Sequence, residues 1–74
     1  MNKLRKQKIR DVRKEIENCK ENLQKILEEE QDYFDNMPEN LQGSMRGSDS
    51  EDAIDTMECC IDDLEIIIKE LSEI

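Results

Sequence analysis

Apolar residues recur along this chain in alternating steps of three and four, in two stretches separated by a segment rich in Gly, Ser and Asn. The first stretch holds Ile9, Val12, Ile16, Cys19, Leu23, Ile26, Tyr33 and Met37, with Glu30 as its one polar interruption. The second holds Ile54, Met57, Ile61, Leu64, Ile68 and Leu71. A mean step of about 3.5 residues keeps one stripe of a helix turned toward a neighbouring helix along its whole length. The predicted fold is all-α: an antiparallel, coiled-coil-like helical hairpin that assembles into a helical bundle.

The boundaries follow from local chemistry. Residues 1–74 read as one hairpin domain, with a first helix at about 3–35, a capping loop at 36–48 and a second helix at about 49–73. The first helix has no Pro or Gly in its interior and is rich in Lys, Glu, Gln, Leu and Arg, all strong helix formers. It must stop before Pro38, which lacks a backbone donor and restricts Met37. In the loop, Leu41 and Met45 are expected to fold over the end of the hairpin. Ser48-Asp49-Ser50-Glu51 matches a capping box, in which serine and glutamate satisfy free amides at a helix start. With residues 35 and 51 as facing ends, Leu23 falls beside Leu64 and Ile26 beside Ile61. Ile74 then comes level with Val12, and the first eleven residues project past the second helix.

The second helix is apolar on more than its seam. Ala53, Cys60 and Ile67 widen the stripe on one side, while Cys59 and Ile66 point toward the opposite face. A helix apolar on several sides packs against several neighbours. Size argues the same way, because a chain of 74 residues buries only about 60% of its unfolded surface. With no histidine and three cysteines, metal and disulfide staples are not the expected remedy. Self-association is, so a homodimer or larger assembly is expected, its cysteines free in a reducing cytosol.

Charge adds a second asymmetry. The net charge of −9 hides a basic arm, residues 1–20 at +5, on a body, residues 21–74, at −14. No apolar run follows the basic start, so neither a signal peptide nor a membrane span is expected, and the predicted location is the cytoplasm. Catalysis has no obvious carrier. Without histidine no Cys–His or Ser–His pair can form, and Cys59 and Cys60 sit among Glu58, Asp62 and Asp63, which disfavour a thiolate. No catalytic residue, cofactor or metal site is expected. Arg5, Lys8, Arg10 and Arg13 on the arm suit phosphates, but the acidic body repels nucleic acid and disfavours direct binding. Dense carboxylates on rigid helices can instead imitate a nucleic acid and occupy a basic cleft on another protein.

The segments EEEQDYFDNMPENLQGS and EDAIDTMECCIDDLEIIIKEL together resemble a group of small acidic helical proteins encoded by phages, prophages and conjugative elements of Firmicutes. The run Tyr33-Phe34-Asp35-Asn36-Met37-Pro38-Glu39-Asn40-Leu41-Gln42 carries most of that resemblance. Cys59, Cys60 and Ile66 depart from it, since the group more often shows Glu or Ala there. The resemblance implies a host-cell setting and stoichiometric action on host machinery. The leading expectation is a non-enzymatic interaction protein that inhibits a host nucleic-acid-processing or defence protein. Its contact residues would be Glu28, Glu29, Asp32, Tyr33, Phe34, Asp35 and Leu41. Two alternatives remain open. One is an oligomeric sponge holding a small anionic nucleotide between arms through Arg5, Lys8, Arg10 and Arg13. The other is a structural, self-associating coiled coil.

Overall fold

A computed structural model describes all of residues 1–74. Helix α1 runs Lys3–Asp35, α2 is the short turn of helix Glu39–Gln42, and α3 runs Met45–Ser72. α1 and α3 pack side by side as a helical hairpin, and the fold is all-α. Asn2 caps α1: its side chain accepts from the Arg5 amide at 2.9 Å, relieving one of the free donors at a helix start. At the other end the Asn36 side chain donates to the Asp32 carbonyl at 2.9 Å. The chain then turns through Met37 into Pro38, whose carbonyl accepts from the Leu41 and Gln42 amides of α2.

The second long helix starts at Met45, four residues before the expected position 49. The capping-box match at Ser48–Glu51 lies inside the helix and caps nothing. Ser44 takes the N-cap place with extended backbone, and its hydroxyl donates back to the Leu41 carbonyl. The early start depends on Gly47. A Cβ there would stand 2.1 Å from the Gln42 carbonyl oxygen, so only glycine lets the first turn of α3 lie against α2. Ser50 is buried and donates to Glu30 Oε1 at 2.7 Å across the hairpin. This bond answers the polar interruption of the first stripe, since a part-buried carboxylate needs a donor. The loop residues also exchange roles. Met45 is 81% exposed and Leu41 stands at the surface, whereas Met37 is the buried methionine at the hairpin end.

Starting α3 early slides the two helices past one another by about a turn and a half relative to the expected register. Glu30 lies level with Ser50, and at the far end Lys6, Ile9, Arg10 and Arg13 share a groove with Leu71, Ser72 and Ile74. Carried between those points at heptad steps, this register puts Leu23 level with Met57 rather than Leu64, and Ile16 level with Leu64. Ile74 therefore sits beside Lys6 and Arg10, not Val12. The projecting arm shortens to the first few residues.

The seam on α1 also differs from the expected stripe. Heptad letters make this plain: d denotes Ile9, Ile16, Leu23, Glu30 and Met37; a denotes Lys6, Arg13, Lys20, Leu27 and Phe34; g denotes Val12, Cys19, Ile26 and Tyr33. The a and d rows meet α3 and are half-buried or buried, as are Glu17, Gln24 and Gln31 of the adjoining e row. The g row faces out, with Val12, Ile26 and Tyr33 at 48%, 53% and 48% exposure. On α3 the expected seam of Ile54, Met57, Ile61, Leu64, Ile68 and Leu71 does face inward, and it continues backward through Ser50 and Gly47. The long stems of Lys20 and Arg13 cover the seam where α1 lacks apolar a residues. Lys20 Nζ reaches Glu65 and Arg13 Nε reaches Glu17, each at 3.8 Å. The core is thin: Met37, Ile54 and Ile61 are its buried apolar residues, and no large side chain is fully enclosed. The molecule is a rod of 58 × 14 × 13 Å.

Candidate functional site

A two-helix hairpin has two long flanks beside its seam, and here they differ in kind. One flank is built from the e and b positions, the residues that follow d and a, where on α3 a denotes Ile54, Ile61 and Ile68 and d denotes Met57, Leu64 and Leu71. On α3 these supply Glu51, Glu58 and Glu65, with Asp55 and Asp62; on α1 they supply Gln31, Glu28 and Asp35. Near the loop the two helices enclose a shallow groove of ≈ 390 Å³ lined by Gln31, Phe34, Glu51, Ile54, Asp55 and Glu58. Its floor is apolar and its rim is acidic. The one cross-helix ion pair of the molecule, Lys20–Glu65, lies farther along. At the loop half the carboxylates thus have no cationic partner.

The opposite flank is formed by the g rows: Val12, Cys19, Ile26 and Tyr33 on α1, and Ala53, Cys60 and Ile67 on α3. The two rows lie on the same side of the hairpin. At the loop end Tyr33 of one row and Arg46, one heptad before Ala53, line a single depression of ≈ 380 Å³ with Asn36, Met37, Pro38 and Leu41. Except for Ala53 this flank is exposed, Ile67 at 41%. Its cysteines are free thiols.

The residues singled out from the sequence distribute over both flanks. Glu28, Phe34 and Asp35 belong to the acidic side, with Phe34 at the floor of its groove. Tyr33 and Leu41 line the depression on the apolar side, and Glu29 sits at that side's edge. Asp32 points outward between them, so the seven do not form one patch. The arm residues also separate. Arg10 and Arg13 join the groove at the end of α3, and Arg13 Nε is buried without a hydrogen bond. Arg5 and Lys8 fall on other sides of the helix by their spacing, so the four cations do not converge.

Sequence reasoning missed the Glu30–Ser50 bond, the Gly47 contact and the difference between the flanks. A signal for the first existed, because a lone glutamate in an apolar stripe calls for a donor opposite. The clusters of acids fan outward along the helices, and no group of three or more Cys, Asp or Glu side chains is placed to hold a metal ion. No helix is long and apolar enough to cross a membrane. Comparison with protein-family models, curated proteins and solved structures gives no match to this chain.

Proposed function

We propose that this chain is a non-enzymatic interaction protein, of phage or mobile-element origin, that binds a basic surface of a host nucleic-acid-processing or defence protein and inhibits it. The observation that supports this reading is the acidic flank at the loop half. Glu51, Asp55 and Glu58 stand at helical spacing on a rigid helix around a floor of Phe34 and Ile54. Uncompensated carboxylates held in line attract a cationic cleft over about a Debye length, near 8 Å at physiological salt, and speed the encounter. The apolar floor supplies contact area that charge alone does not.

The test is a variant carrying Glu28→Lys, Asp35→Lys, Glu51→Lys and Glu58→Lys. Tagged wild-type and variant proteins are incubated with nuclease-treated host lysate, and intact masses of the eluted complexes are recorded at low and high salt. The reading requires one host protein at fixed stoichiometry on the wild type, weakened by salt and lost from the variant. Equal capture by both proteins would sink it. A second reading, a structural self-associating coiled coil, draws its support from the apolar flank.

A further inference from the structure

The apolar flank is more than a scatter of exposed residues. α1 turns its better apolar row away from α3: the g row is Val, Cys, Ile and Tyr, while the a row in the seam begins Lys, Arg, Lys. The apolar side of α1 is therefore only half covered by α3, and its g row is left exposed. A compact folded monomer of 8.8 kDa exposes about 4,800 Å², whereas this hairpin exposes 5726 Å². The excess of about 900 Å² follows from the rod shape, and it leaves surface enough to give up the roughly 800 Å² per partner of a standard interface.

We infer that the g flank is the interface of a symmetric homodimer, a four-helix bundle in which α1 of each protomer lies on α3 of its partner, about a two-fold axis parallel to the hairpin. Three features favour a second copy as the occupant. The flank is self-complementary: a two-fold along the long axis preserves heights, so residues level within one hairpin stay level across the dimer. The hairpin's own register sets Val12 level with Ile67, Cys19 with Cys60 and Ile26 with Ala53. Val12, Cys19 and Ile26 then each meet an apolar g residue of the partner. Tyr33 comes level with the partner's Arg46, whose guanidinium can lie on the ring. The charge pattern disfavours the opposite flank, where Glu51, Glu58 and Glu65 would face a copy of themselves, whereas on this side the acids Glu15, Glu29, Asp49 and Asp63 stay at the edge of the apolar rows. Lastly, the thin core leaves the hairpin short of buried apolar area, and this contact supplies it.

Light scattering on the purified chain over a micromolar concentration series tests the inference. The wild type should have twice the chain mass. Ile26→Glu puts two charges into the contact of each dimer and should raise the dissociation constant by about 100-fold or more. Helicity by circular dichroism should persist, because Ile26 already stands 53% exposed. Ile66→Glu is the control, equally exposed at 56% but on the outer face of α3, and should remain dimeric. If Ile26→Glu unfolds, Val12→Lys on the same row carries the same expectation. Diamide, which takes up the two thiol hydrogens, should then join Cys19 to the partner's Cys60 as a covalent dimer, lost in Cys60→Ser and kept in Cys59→Ser. A monomeric wild type, a dimer equally broken by Ile66→Glu, or a cross-link that requires Cys59 would each overturn the arrangement.

Discussion

Replacing Gly47 by alanine separates two physical effects that pull in opposite directions. Helix propensity alone says the change should help, because alanine is favoured over glycine in a helix interior by about 1 kcal/mol. The local geometry says it should not. The new Cβ would lie 2.1 Å from the Gln42 carbonyl oxygen, 2.5 Å from its carbon and 2.7 Å from its Cα, all backbone atoms that cannot swing aside. Restoring ordinary contact near 3.4 Å requires α2 and the first turn of α3 to part by about 1.3 Å. Overpacking of that kind costs about 1–3 kcal/mol. The displacement also strains the hydrogen bond from Gln42 Nε2 to the Phe34 carbonyl, worth about 1 kcal/mol. The net expectation is a loss of about 2 kcal/mol, which in a domain of this size lowers Tm by about 8–16 °C. Gly43 provides the internal comparison, since a Cβ there meets nothing within 4 Å. Gly43→Ala should stabilise by about 0.4–1 kcal/mol, through the unfolded chain. The assay is urea unfolding followed by far-ultraviolet circular dichroism at one fixed protein concentration, because association would otherwise shift the midpoints. A Gly47→Ala protein as stable as the wild type, or more so, would refute the close approach of α3 to α2.

Two further substitutions probe the seam. Ser50→Ala leaves the half-buried Glu30 carboxylate without its donor and should cost about 1–3 kcal/mol in the same unfolding experiment. Combining it with Glu30→Leu should recover much of that loss, since an apolar pair then replaces the polar one. Ile61→Ala should cost about 2–4 kcal/mol because Ile61 is 6% exposed and its removal leaves a cavity between the helices. A loss below about 0.5 kcal/mol would show that α1 does not cover it.

The sequence makes some elements legible and hides others, and the division has physical causes. The extent of α1 is plain because nothing between Lys3 and Asp35 breaks a helix and Pro38 ends one. The inward face of α3 is plain from Ile54 onward, because each turn there places an isoleucine, leucine or methionine on it. The inward face of α1 is hidden: periodicity selects the most apolar pair of rows, d and g. Packing within a single hairpin instead uses d and a, with lysine and arginine stems filling the gaps. The start of α3 is hidden because Ser48–Glu51 carries capping chemistry while Gly47 looks like a turn residue. What Gly47 supplies there is room for the Gln42 backbone, a close approach that the residue type alone does not announce. The acidic and apolar flanks could be separated only after the seam was known, since one heptad position decides which side a residue faces. The expected contact set around residues 28–41 mixed both sides for that reason.

The rod shape has a hydrodynamic consequence. Its radius of gyration is 17.1 Å, against about 11 Å for a compact chain of this length, so elution volume would overstate its mass even as a monomer. Side-by-side pairing at an interaxial distance of about 10 Å doubles the forward scattering yet lengthens that radius by less than about 1 Å. End-to-end joining would stretch it far more. Small-angle scattering therefore distinguishes lateral from axial assembly through a quantity that scarcely moves while the mass doubles.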